Sequence, residues 1–548
     1  MKKNHIRLLL LPALAISLSC ATFAQNTPAP PAVAHNPIVH QATHFDISPP
    51  FRDLARQAGA PERIFQDADH VRRPKEELLR KIAAQGLHPV TDHAAQTAVL
   101  PEIGATIGLN LLGVGVGFPL YNNQVAPPDT NLAVGDTQVV QWVNLQYAVF
   151  EKTTGAVLLK ATEGNALWSG FGGPCQSNND GDIIVEWDKQ AHRWLMAQNT
   201  FVTPYTTCVA VSTTSDATGS FYRFSFPQSN GFPDYPKWGI WSDGYYQHNN
   251  AFGGPNGFGS EPCAYDRTKM LKGDSTAEQI CFFNSTSTFD DGLLPSDIDS
   301  SVGPPKGQPE VYLGSIDNFN PSSDIYEYLF HVDFKTPTNS TFTGFGGTIP
   351  IAVQSFSLAC GGFADCVQQK GVSDVLEALG DRLMYRLAYR NFGTYQDWLV
   401  EHDVTSPTNQ VGPRWYEFRA TETSTTLKVR QQATFSPDQS YRWMGSLAMD
   451  KAGDILFGYS VSSSSLYPSI RYTGRVPTDP LNTMESEATI INGTGSQTGT
   501  DDRWGDYSVM QIDPQDQCTF WYTTEYYTTT NQFDWSTQLA SFKFPGCS

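Results

Sequence analysis

Two stretches near the end of the chain carry the same pattern of apolar and polar positions. RWMGSLAMDKAGDILFGYS (442–460) and RWGDYSVMQIDPQDQCTFWYTTEY (503–526) each open on Arg-Trp, alternate apolar with polar residues, reach an Asp at a polar turn and alternate again. Alternation with period two puts every second side chain on one face of a strand, so each stretch predicts a pair of antiparallel strands. Looser copies lie upstream: PDTNLAVGDTQVVQWVN (128–144), GDIIVEWDKQAHRWLMAQNTF (181–201), PKWGIWSDGYYQHNN (236–250), EVYLGSIDNFNPSSDIYEYLFHVDF (310–334) and DRLMYRLAYRNFGTYQDWLVEHD (381–403). Their first core residues are Asn131, Ile183, Trp238, Val311, Leu383, Trp443 and Trp504. The intervals run slightly longer than the ~40–50 residues of compact propeller blades. A small twisted sheet cannot cover both its faces alone, but radial stacking on its neighbours does so. The pattern therefore predicts an all-β fold, a six- or seven-bladed β-propeller over 115–548, closed by QLASFKFPGC (538–547) beside 115–125. The rival arrangement is a pair of β-sandwich domains, against which the even units without a linker argue.

The first hundred residues read differently. Residues 1–24 have a basic start (Lys2, Lys3, Arg7), an apolar centre over 8–18 and a small-residue site ending at Ala24. That is the pattern of a cleaved export signal and predicts a secreted or periplasmic protein. A Pro- and Ala-rich stretch, 25–47, reads as a flexible leader. SPPFRDLARQAG and RRPKEELLRKIAAQG predict two short helices within an N-terminal helical segment, 48–110. A further short helix is expected over 372–382.

Composition narrows the function. Of 548 residues only 17 % are charged and 12 % are aromatic, with 45 Gly and 36 Pro, which suits short strands and tight turns. The formal net charge of −19 opposes phosphate backbones and excludes nucleic acid as a natural partner. No segment after the signal reaches the ~20 apolar residues of a membrane-spanning helix. Eight cysteines follow the signal. They are expected to form disulfides in an oxidising compartment, with Cys263–Cys281, Cys360–Cys366 and Cys518–Cys547 as expected pairs.

Together PPDTNLAVG, GDIIVEWDKQAHRWLMAQ, YPKWGIWSDGYY, YRWMGSLAMDKAGDILFGYS and RWGDYSVMQIDP resemble the secreted bacterial sialidase-like, BNR-repeat-like β-propeller proteins. The resemblance covers roughly 115–548 and implies the fold. The family's Ser-x-Asp-x-Gly-x-Thr-Trp box has one partial echo, SPDQSYRW (436–443), with Ser440 and Arg442 in place of Gly and Thr. The Arg-Ile-Pro tripeptide of true sialidases is absent from the sequence, so sialidase activity does not carry over.

Candidate chemistry gathers where the inner strands begin, because in a propeller these starts crowd one channel mouth. Asp129, Asp182, Asp506, Glu525 and Tyr527 are the candidate catalytic residues. Paired carboxylates suit glycosidic cleavage, and a Tyr–Glu couple at period-two spacing suits a phenolic nucleophile. Asn131, Lys237, Arg382, Arg442, Arg503 and Trp504 are candidate ligand-binding residues for a polyhydroxylated or anionic molecule. Asn178, Asp180 and Asp182 alternate around Gly181 like part of a calcium loop, so Ca2+ is the one cofactor considered. Blade-to-blade ion pairing and an Asx-Gly turn are the structural alternatives for these groups. The expected partner is extracellular polysaccharide or glycoprotein, bound by a monomer. The sequence leaves open a glycoside hydrolase or a non-catalytic glycan- or protein-binding module.

Overall fold

The computed structural model describes residues 31–57, 65–67, 90–96, 101–122, 124–285, 290–315, 322–362, 365–499 and 503–548. The signal, and the second helix expected near residue 80, lie outside the described residues. Among those described, antiparallel sheets succeed one another around a ring of seven blades. The inner strands are Asn131–Val134, Ile184–Asp188, Gly231–Ile240, Leu294–Ile298, Leu383–Asn391, Tyr441–Met449 and Val509–Ile512. Each lies against the inner strand of the next blade, and the last returns to the first. Blades four and five come close enough for Leu294–Ile298 and Leu383–Asn391 to pair in parallel. Gly239 permits a similar approach between blades three and four, since a Cβ there would stand 2.2 Å from the Ser296 carbonyl oxygen. Trp142, Trp187, Trp194, Trp238, Trp398, Trp443 and Trp504 are fully buried, filling the space between sheets as the repeated tryptophans suggest.

Five of the seven sequence anchors fall within or directly before an inner strand, and Trp504 stands in the segment leading into Val509–Ile512. Val311 does neither: it sits in Glu310–Gly314, the second strand of blade four. The true inner strand, LPSDI, carries Asp297 toward the channel, with Asp299 just beyond its end, in place of apolar alternation.

The ring closes otherwise than expected. Trp535–Lys543 pairs with Thr106–Leu112, in the register Gln538↔Leu112 to Lys543↔Thr106, and among the described residues of 115–125 only Val116 joins its start backbone to backbone, donating its N–H to the Trp535 carbonyl. Thr106–Leu112 is thus a blade strand and not part of a helical segment. Of the expected helices only Phe51–Gln57 is described, and 372–382 contains a short strand, Val375–Leu376, paired with Val367–Gln368. Nor is the described part of 25–47 a free leader. Val33–Ala34, Ile38–Gln41 and His44–Ile47 add outer strands to blades four, three and two in turn. Main-chain hydrogen bonds suffice for edge addition, so these strands need no apolar alternation, and they cover edges that would otherwise template aggregation. Farther on, Ala95 bridges Thr434 of blade five and Glu102 bridges Ser486 beside blade six. Four disulfides form: Cys263–Cys281, Cys360–Cys366, Cys518–Cys547 and Cys175–Cys208.

A recurring latch explains why Asp and Asn stand at blade entrances. Asp129, Asp182, Tyr235, Gly292 and Met444 have φ of +45°, +47°, +52°, +60° and +50°, a left-handed region that Gly and Asx tolerate best. Their neighbours hold them: Asn144 Oδ1 accepts the Asp182 N–H at 3.0 Å, Asn250 Oδ1 the Gly292 N–H at 3.1 Å, and Asp403 Oδ2 the Met444 N–H at 2.9 Å.

Candidate functional site

Because every inner strand begins at the same end of the ring, these entrances bring side chains from blades one, two, three, five and seven together. At their centre is Lys237, fully buried. Its Nζ stands 3.3 Å from the centroid of the Tyr235 ring, 4.0 Å from Tyr507 and 6.0 Å from Tyr385, and donates to the Pro236 carbonyl at 3.2 Å. Ring faces attract a cation, though not enough to replace lost water. Burial pushes Lys237 down to about 7, against the upward pull of Asp182, Asp506 and Asp129.

Asp182 and Asp234 are the partly accessible carboxylates of this group. Burial, then the charges of Asp234, Asp129 and Asp506, hold Asp182 well above the usual carboxylate range, while Lys237 draws it back. Its Oδ2 accepts the Tyr235 N–H at 3.2 Å. Asp129 is 2 % exposed; its oxygens accept the Asp506 N–H at 2.6 Å and the Asn144 amide at 2.8 Å. Burial, with Asp506 beside it, raises Asp129 to about 6, although those two donors and Arg503 favour its charge.

The other expected site residues have separate fates. Asp506 pairs with Arg503, which also pairs with Glu377. Arg382 makes two hydrogen bonds to Asp381, 2.8 and 2.7 Å, and lies over the Tyr235 ring at 4.5 Å. Glu525 is buried and accepts the Gly505 N–H at 2.6 Å through Oε1, leaving Oε2 without a hydrogen-bond partner among the described residues. Burial raises it well above its ordinary value, reinforced by Asp129. Tyr527 is not its nucleophilic couple: the hydroxyl donates to the Gln532 carbonyl at 3.0 Å and accepts the Gln497 amide at 2.9 Å.

Three expected ligand contacts are structural. Trp504 is wedged between Trp443 and Tyr527, its Nε1 donating to Ser460. Arg442 is held by Glu487 and Asp438, with two hydrogen bonds to each. Asn131 accepts the Val185 N–H at 3.0 Å and ties blade one to blade two. The expected calcium loop is divided as well. Asn178 donates to the Pro174 carbonyl, Asp180 accepts the Phe201 N–H, and Asp182 turns to the mouth. Among the described residues, neither Asp180 nor Asp182 belongs to any converging group of three acidic, His or Cys ligands.

Sequence reasoning missed a second polar layer along the same channel. Glu186 accepts hydrogen bonds from Tyr385 and, at 2.9 Å, from Gln511, and burial with Asp297 nearby raises it to about 8. Arg386 pairs with Asp299 and approaches Asp297 at 3.6 Å, while Lys189 lies 3.6 Å from Asp299 and 3.9 Å from Asp297. The signal was present: Glu186 interrupts the apolar run IIVEW, and Asp297 and Asp299 alternate in SDIDS.

No family model matches the chain, and no curated protein matches it. Solved structures similar to it include an α-L-arabinanase of Penicillium chrysogenum complexed with arabinobiose (7 % identity, 80 % of this chain and 100 % of that chain, TM-score 0.35). A neuraminidase-like protein of A/flat-faced bat/Peru aligns at 11 % identity over 70 % and 98 % of the two chains, TM-score 0.33. The WD40 domain of SCAP from fission yeast aligns at 8 % identity over 84 % and 98 %, TM-score 0.32. Likenesses this distant carry no argument about chemistry, and the blade topology above stands without them. No described helix is long and apolar enough to cross a membrane. The four disulfides fit an oxidising compartment such as the periplasm or the extracellular space.

Proposed function

We propose that this propeller acts on extracellular carbohydrate as a glycoside hydrolase, with its chemistry at the channel mouth. One observation carries the reading: Asp182 and Asp234, partly accessible, lie close enough for the charge of Asp234 to help burial hold the Asp182 carboxyl well above the usual carboxylate range, while Lys237 draws it back. A protonated carboxyl beside a second carboxylate is what glycosidic cleavage requires. Asp182 is the general acid in this reading, giving its proton to the leaving oxygen. Asp234 is the second carboxylate, acting on water or on the anomeric carbon. Lys237 and the tyrosines around it set the local field, and Asp129 holds the mouth together while adding negative charge that favours the protonated Asp182.

A second reading, glycan binding without catalysis, is favoured by the ion pairs that occupy Asp381 and Asp506. The mature protein is to be incubated with a polysaccharide and glycoprotein panel and the products analysed by mass spectrometry. New reducing ends that disappear in Asp182→Asn support the hydrolase. Unsaturated ends would indicate a lyase, and retention of one glycan without products would favour the binding module.

A further inference from the structure

Away from the channel, blade five presents two carboxylates that the mouth does not use. Glu401 and Asp403 lie two residues apart on Tyr395–Thr405, so they share one face of the strand. They are 1 % and 0 % exposed. Asp403 Oδ2 is engaged by the Met444 N–H of blade six. Asp403 Oδ1 has no hydrogen-bond partner among the described residues, and Glu401 has none of close geometry, the Gly445 N–H being near enough only to favour its charge.

The latch itself does not need this charge. Asn144 and Asn250 perform the same task in other blades with a neutral amide. The nearby cations and the intervening imidazole are otherwise engaged. His402 points to the opposite face, where its Nε2 hydrogen-bonds the Tyr416 hydroxyl at 2.9 Å, and Arg414 is paired with Asp92. From blade seven Tyr522 faces the pair, but its hydroxyl donates to Ser508 Oγ at 3.0 Å. Across from Glu401, the strand Tyr441–Met449 bulges, leaving Met444 and Gly445 outside the ladder. A Cβ on Gly445 would stand 3.0 Å from Glu401 Oε1, so the glycine lets the bulged backbone of blade six lie against the carboxylate.

We propose that Glu401 and Asp403 bind one divalent, oxygen-seeking cation of the calcium type between blades five and six. Two buried carboxylates with open oxygens match a double positive charge. An all-oxygen donor set disfavours zinc and copper, and an irregular site formed at a bulge suits calcium better than the strict octahedron of magnesium. The cation would fasten the two blades where the Asn144 and Asn250 latches rely on an amide.

Metal content and thermal unfolding test this, using the mature protein loaded with calcium and then dialysed with or without chelator. The wild type is expected to carry about one calcium per chain and to unfold at a lower temperature after chelation. Asp403→Asn, which can keep the Met444 latch as Asn144 does, and Glu401→Gln are each expected to lose the calcium and the chelator response. Should Glu401→Gln fail to fold, Asp403→Asn decides alone. Wild type without calcium and indifferent to chelator, or calcium retained by the variants, overturns the proposal.

Discussion

Asp129 Oδ1 accepts the backbone N–H of Asp506 at 2.6 Å, so a single carboxylate at the channel mouth joins the first blade of the ring to the last. Its other oxygen takes the Asn144 amide, which in turn holds the entrance of blade two. Structure and candidate chemistry are therefore carried by the same few atoms.

Asp129→Asn keeps an acceptor for the Asp506 N–H and is expected to remain folded. Asp129→Ala leaves buried donors without a partner and is expected to lose about 1–3 kcal/mol of stability. Urea unfolding of the two variants side by side checks this, and equal midpoints would show that the junction does not depend on the acceptor.

Stability should fall as pH rises from mildly acidic to mildly alkaline. Burial raises Asp129 to about 6, Glu261 to about 7, and Glu186 and Glu327 to about 8. Between the ordinary carboxylate range and these values the folded chain holds more protons than the unfolded one, so raising pH favours unfolding. Lys237, lowered to about 7, acts oppositely above that value. The carboxylates outnumber it, so calorimetry is expected to give a higher Tm near pH 5 than near pH 8. A Tm that climbs steadily over that interval would contradict the burial of these groups.

Lys237→Met removes the charge that draws Asp182 downward. The Asp182 carboxyl then rises further, and if it is the general acid, the alkaline limb of the kcat/KM profile moves to higher pH. An unmoved limb, or one displaced to lower pH, would take the acid role away from Asp182.

Arg442 tests the opposite claim, that an expected ligand contact is structural. Its partners Glu487 and Asp438 are partly exposed, so solvent softens their loss, and Arg442→Met is expected to cost about 1–3 kcal/mol. Carbohydrate binding or turnover by the folded variant should match the wild type. A selective loss of ligand affinity at unchanged stability would return Arg442 to the site.

Particular residues show where the sequence was readable. The Arg-Trp copies revealed the blades because each repeats a strand pair around a polar turn and the repeated tryptophans fill the spaces between sheets. The same copies misled on Trp504 and Arg442, since periodicity does not distinguish a face turned to the channel from one turned to a neighbouring blade. The pattern points to Val311 as an inner-strand residue because Glu310–Gly314 is more apolar than LPSDI, whose Asp297 belongs to the channel. Strands such as Ile38–Gln41 left no pattern because edge addition uses the main chain. Asp182 and Lys237 were found as polar residues at blade starts, but Tyr235, Tyr385 and Tyr507 converge only through the closure of the ring.

The most direct measurement is the initial rate of carbohydrate cleavage by wild type and Asp182→Asn on the best substrate of the panel. The hydrolase reading predicts release of reducing ends by the wild type and a loss of about 10²–10⁴-fold in the variant, the usual contribution of a general acid. Equal rates, or no cleavage of any panel member by the wild type, would contradict it.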